Sequence, residues 1–96
     1  MLELKVKALE KALSFEILAS LMIYGGQNKK NLYASISNSK ITMQRRLEEL
    51  EKLGLVEIDR QIYNKNIHFV TLTDAGKKIA EKILEVEVLI HSLKKE

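Results

Sequence analysis

Hydrophobic positions along the chain follow a helical period at both ends and in the middle, interrupted by one stretch with a strand period. Leu9, Leu13, Ile17, Leu21 and Tyr24 recur at helical spacing, which predicts helix over about residues 3–24. Ser14 can cap a second start inside it, so the segment reads as one helix or as two with a bend. Gly25-Gly26 ends it, and "QNK" is too short to assign, with a brief strand as one option. "KNLYASI" predicts a short helix with Leu32 and Ile36 inward, and Ser37-Asn38 a turn made without proline or glycine. Ser39 then has the character of an N-cap. The helix it opens buries Met43, Leu47, Leu50 and Leu53, and Gly54 ends it as a C′ glycine. Val56, Ile58 and Ile62 alternate, as in a strand with one buried face. "NKN" at 64–66 is a turn, and "IHFVTLT" is the returning strand. Thr73 caps a last helix running to about Lys94, with Asp74 in the first turn, where the helix dipole favours an acid.

The resulting fold class is mainly α with a small β-hairpin (α+β). Helix, short helix, turn, helix, hairpin, helix is the order of a helix-turn-helix followed by a wing. The stretch "SKITMQRRLEELEKLGLV" and, one hairpin later, "VTLTDAG" resemble the winged-helix DNA-binding family, in particular MarR-like regulators. They are similar also to small archaeal winged-helix proteins that dimerise through a C-terminal coiled coil. The resemblance covers about residues 14–80. It implies a winged helix-turn-helix domain over 1–73, with the N-terminal helix at about 3–24, the helix-turn-helix at about 30–54 and the wing hairpin at about 55–72. A coiled-coil dimerisation helix would follow at 73–96. The implied protein is a homodimeric transcriptional regulator with double-stranded DNA as its partner. The chain departs from the family pattern at Ser37, where a glycine is usual, and at Asn38, where a buried aliphatic is common. In place of the wing's paired arginines it offers Arg60 and Lys65.

Charge sharpens this picture. The net charge is only +3, but residues 17–47 hold Lys29, Lys30, Lys40, Arg45 and Arg46 and no acid. Residues 48–59 hold five acids against Lys52 alone, and residues 60–73 hold Arg60 and Lys65 without an acid. Two separated basic segments free of acids point to one anionic partner. With Met43, Leu47 and Leu50 inward, the recognition helix, 39–53, shows Lys40, Ile41, Thr42, Gln44 and Arg45 to a major groove. Gln44 can pair with adenine, Arg45 with guanine or a phosphate, and Ile41 or the Thr42 methyl with a thymine methyl. Ser39 and the free N–H groups of the helix start suit a phosphate. Arg46, beside the buried stripe, can reach a phosphate or an acid. Lys29 and Lys30 fit flanking phosphates, or a solvated helix start. Arg60, Asn64, Lys65 and Asn66 make the wing, 60–66, which would lie on the flanking backbone or minor groove.

The last helix carries a heptad seam. Ile79, Ile83, Val86, Ile90 and Leu93 continue from Leu72 and Gly76 at alternating spacings of four and three. Leu84, Val88 and Leu89 widen the apolar face. A helix of about 35 Å exceeds what a small domain can cover, so a second copy is the expected partner. The other reading has this helix fold back on Leu2, Leu4, Val6 and Leu9 of its own chain.

Ninety-six residues with 46% hydrophobic content suit one domain with one modest core. There is no cysteine, and His68 and His91 stand without acids at ligand spacing, so no metal and no cofactor is expected. No nucleophile–base pair or phosphate-cradling loop marks an enzyme. No apolar run spans a bilayer, and "MLELKVKALEK" lacks a signal-peptide core, so no membrane partner and a cytoplasmic, nucleoid-associated location are expected. Nothing in the residues specifies a small-molecule effector. Two other functions fit the same residues: an architectural DNA-binding protein of low sequence specificity, and a winged helix used for protein–protein interaction.

Overall fold

The computed structural model describes residues 2–37, 39–60 and 68–93. The expectations placed on Asn38, Ile62, Asn64, Lys65, Asn66 and Lys94 lie outside them.

The N-terminal region is two helical pieces rather than one. A 3-10 turn, Lys5–Leu9, precedes helix α1, Ser14–Tyr24. The break is at Leu13, whose φ of 73° lies in the left-handed region that a leucine rarely adopts. Ser14 is not the cap expected of it. Leu13 holds the cap position without a side-chain bond, and Ser14 is the first helical residue, only 2% exposed. Ile17, Leu18 and Leu21 form the buried face.

Strand β1, Gln27–Asn28, leads directly into helix α2, Lys29–Ile36. The Asn28 side chain accepts from the Asn31 amide at 2.8 Å and so caps α2. Leu32 is fully buried and Ile36 packs against the core. Helix α3, Lys40–Lys52, starts at Ser39, whose hydroxyl accepts from the Thr42 amide at 3.3 Å.

Helix α3 ends in a Schellman motif. The Gly54 amide donates to the Glu51 carbonyl and the Leu55 amide to the Leu50 carbonyl, each at 3.0 Å, with Gly54 at φ +80°. That turn corrects one expectation. Leu53 is 48% exposed, because the left-handed step at Gly54 swings the chain so that Leu55, at 5%, takes the core place instead.

Strands β2, Val56–Arg60, and β3, His68–Leu72, pair antiparallel, and β1 adds to the other side of β3, giving the order β1-β3-β2. Val56, Ile58 and Val70 face the core.

Helix α4, Asp74–Leu93, opens at Thr73. The Thr73 hydroxyl accepts from the Gly76 amide at 3.0 Å and donates to the Gly54 carbonyl at 2.6 Å, so one side chain ties the starts of α4 and β2 together. A Cβ on Gly76 would sit 2.0 Å from the Leu55 carbonyl oxygen. Glycine is therefore needed where α4 crosses the end of α3, which gives "LTDAG" its physical reason. Gly76 and Ala80 are buried, while Ile79 and Ile83 are half-buried against the core. Beyond them Val86, Ile90 and Leu93 are exposed. The fold-back reading of α4 holds for its first turns only. Leu9, Phe15, Leu53, Ile83 and Val86 line an open apolar groove of about 850 Å³ between the N-terminal turn and α4.

Candidate nucleic-acid interface

The first turns of α3 present a face opposite their buried stripe. Met43, Leu47 and Leu50 are at most 1% exposed, which fixes the rotation of the helix. Lys40, Ile41, Gln44 and Arg45 consequently point to solvent, and Ile41 is 74% exposed. An aliphatic left in water at the start of a charged helix gains nothing for the fold. The helix start is also held by side-chain hydrogen bonds. The Ser37 hydroxyl accepts from the Ser39 amide at 3.1 Å, and the Ser39 hydroxyl donates to the Thr42 hydroxyl at 2.9 Å, so this turn is held in place. Gln44 makes one long contact, 3.4 Å, to the Glu48 carboxylate. Lys30, Lys40 and Arg45 make no ion pair among the described residues.

The other basic candidates are arranged differently, because acids distant in sequence fold next to them. Arg46 is 13% exposed at its side chain and pairs with Glu49, which Lys11 also reaches at 3.1 Å. Glu49, held between Arg46 and Lys11, therefore joins α3 to the segment before α1. Arg60 donates through both terminal nitrogens to the two Glu51 oxygens, at 2.9 and 3.0 Å, a bidentate geometry that holds the guanidinium in a fixed plane. It braces β2 against the end of α3.

Lys29 is half-buried in the same cluster. Burial lowers its pKa, the Arg60 charge adds to that, and Glu48 and Glu51 act the other way. Burial raises the Tyr33 pKa, with Glu48 contributing. The Arg60 hydrogen bond holds the Glu51 carboxyl below its usual range, and the Arg46 and Lys11 hydrogen bonds do the same to Glu49. The acid-free stretches of sequence are thus only partly acid-free in space. Lys40, Arg45 and Lys30 keep their charge for solvent or a ligand, while Arg46, Arg60 and Lys29 share theirs with the last turns of α3. The wing tip, with Asn64, Lys65 and Asn66, lies outside the described residues.

Residue patterns pointed at the exposed face but not at its braces. Arg46 and Glu49 stand one helical turn apart, so that pair was open to sequence reading, but Arg60–Glu51 and Lys11–Glu49 pair across 9 and 38 residues and carried no signal. The Asn28 cap was legible in principle, as an asparagine directly before a helical pattern. Among the described residues no group of three or more His, Cys, Asp or Glu can hold a metal ion, and no helix is long and apolar enough to cross a membrane.

No family model matches the chain, and no curated protein matches it in sequence. Solved structures do match in fold. A SlyA-like transcription regulator from Listeria monocytogenes superposes with a TM-score of 0.81 at 21% identity, over 94% of this chain and 61% of its own. NadR in complex with 4-hydroxyphenylacetate gives 0.74 at 25% identity, over 93% of this chain and 64% of its own. A cysteine-to-serine mutant of MarR from E. coli, complexed with operator DNA, gives 0.69 at 23% identity, over 94% of this chain and 78% of its own. The chain thus spans less than two thirds of the length of the first two. The first is a transcription regulator by its description, and the third holds operator DNA. Four helices, a three-stranded antiparallel sheet and these superpositions together establish that the chain has the MarR-like winged-helix fold.

Proposed function

We propose that this chain is a homodimeric, sequence-specific double-stranded DNA-binding protein and acts as a transcriptional regulator. The observation that carries the reading is the start of α3. It is rigidly capped, with Lys40, Ile41, Gln44 and Arg45 exposed over a fully buried floor of Met43, Leu47 and Leu50. A major groove admits one helix, and these side chains offer it donors, an acceptor and an aliphatic contact. Ser39 and the first amides of α3 take a phosphate, and Lys30 reaches another. The hairpin segment 60–66 lies on the flanking backbone or minor groove, with Arg60 as its brace and Lys65 as its phosphate contact. The E. coli MarR neighbour was solved with operator DNA, which supports double-stranded DNA as the partner.

In this reading residues 1–73 form the DNA-binding unit, and 73–96 the dimerisation helix. The exposure of Val86, Ile90 and Leu93, at 53, 47 and 73%, supports a second copy as the cover of the seam. Two recognition helices then address two half-sites. DNA binding places the protein at the nucleoid.

Selection of bound sequences from random duplex DNA at near-physiological salt tests the reading. Enrichment of a two-fold related motif is the expected result. Salt-dependent binding without an enriched motif would replace the regulator by an architectural protein. No salt-dependent DNA binding at all would leave a winged helix that contacts proteins.

A further inference from the structure

We infer that Glu48 reads sequence: its carboxylate accepts a hydrogen bond from the exocyclic amino group of a cytosine in each half-site, and its charge weakens binding to duplexes that do not offer that donor. This rests on the reading of α3 as the major-groove helix and adds a residue, and a base, to it.

The first observation is position. With Met43, Leu47 and Leu50 inward, the opposite stripe of α3 runs Ile41, Gln44, Arg45 and Glu48, all exposed. The spacing i, i+3, i+4, i+7 is that of one helix face. At about 100° per residue, Glu48 points roughly 20° from Ile41 and roughly 60° from Arg45. It stands about 10 Å further along the axis than Ile41, within the roughly 12 Å width of a major groove. The stripe that faces the groove therefore does not end with its last basic residue.

The second observation is charge. Helix α3 holds three acids, Glu48, Glu49 and Glu51, and the fold engages two of them. Glu49 lies between Arg46 and Lys11, and Arg60 grips Glu51 through two bonds. The Glu48 charge is felt at Lys29, Tyr33 and Arg60, yet Glu48 forms no ion pair among the described residues. An exposed acid in that state adds little to the fold, and beside phosphates it lowers affinity.

Chemistry selects the base. A carboxylate only accepts hydrogen bonds. The major groove offers two donor groups, the amino groups of adenine and cytosine. Adenine sets its donor beside the N7 acceptor, which repels a carboxylate, whereas cytosine contributes its N4 donor alone. Glu48 also accepts from the Gln44 amide nitrogen at 3.4 Å, one turn back. An amide suited to adenine and a carboxylate suited to cytosine thus stand side by side on the stripe.

Selection from random duplex DNA is run on the wild type, Glu48→Ala and Glu48→Gln, followed by competition titration on the wild-type site and its single-base variants. The wild-type motif should carry one cytosine per half-site whose roughly tenfold preference is lost in Glu48→Ala, with the other positions kept. Glu48→Gln keeps an acceptor and adds donors, so the preference there should move to adenine. Both variants should bind random DNA more tightly. Their melting temperatures should stay near that of the wild type, which separates a lost preference from a lost fold. Variants that enrich the wild-type motif unchanged overturn this inference and leave the regulator reading standing. So does a uniform gain on every duplex with the motif intact, since the acid would then only repel phosphates. A wild type that enriches no motif overturns both.

Discussion

The two halves of α3 differ in what their charges do. In the first half Lys40 and Arg45 are exposed and make no ion pair among the described residues. In the second half Glu49 and Glu51 are engaged by Arg46, Lys11 and Arg60, residues from three different parts of the chain. One helix thus presents unpaired cations at its start and serves as an anchor at its end. The acids at its end have a structural role. They hold β2 and the segment before α1 against the helix, and so fix the angle at which its start is presented. A local count of charge treats Arg45 and Arg60 as equivalent, and the structure does not.

The floor common to both halves gives the largest expected effect. Leu47 is fully buried between them, so Leu47→Ala should lower folding stability by about 2–5 kcal/mol. Urea unfolding measures it, and a loss below that range would mean the core at α3 is looser than its burial indicates.

Next come the exposed residues of the first half. Gln44→Ala and Arg45→Ala should each cost about 1–3 kcal/mol of binding at a preferred site if the contact is bidentate. Both should leave the melting temperature nearly unchanged. Competition titration against specific and random duplexes decides the matter, and equal loss on both duplexes would make α3 a positioning element that reads no sequence.

Ser39→Ala removes the cap and should cost about 1 kcal/mol of stability. The Thr42 amide loses its acceptor, and amide exchange in the first turn of α3 should rise.

A smaller effect separates free from compensated cations. Arg45→Ala should make the salt dependence of DNA binding shallower by about one unit. Arg60→Ala should change it much less, because Glu51 already offsets that charge. Glu51→Gln, which frees the guanidinium, should steepen it. Equal slopes for the two alanine variants would erase the distinction between the halves.

The smallest effect is in pH. The pKa values of Glu49 and Glu51 are lowered in the folded chain, chiefly by hydrogen bonds from Arg46 and Arg60 respectively. For a depressed carboxylate the stabilisation is present above its unfolded value, about 4.3. It is lost as pH falls through the lower folded value. The melting difference between wild type and Glu51→Gln should therefore be visible at neutral pH and vanish below that window. A difference that persists in acid would mean the glutamate acts through packing and not through its charge.

These tests bear on how much could be read in advance. The buried stripe of α3, its Ser39 cap, the Gly54 stop and the alternation in β2 were legible because each depends on residues a few positions apart. The exposed face of the first turns followed from the same stripe. Leu53 was misplaced because the Schellman turn, and not the helical period, decides which leucine of "LGLV" enters the core. Ser14 was misplaced because a left-handed Leu13 starts α1 without a side-chain cap. Apart from Arg46, which Glu49 follows one helical turn on, the split of the basic residues into free and braced was not legible. Arg60 meets Glu51, and Lys11 meets Glu49, only after the hairpin and the N-terminal segment have folded back onto α3.

Periodicity, caps and stop signals are local, so the amino-acid order alone determined which elements form and which face of α3 is polar. Partner choice among charges, the close approach of Gly76 to the Leu55 carbonyl and the extent of α4 that the core can cover are set by distances between remote segments. Those distances exist only once the chain has packed, and the tertiary structure alone decided them.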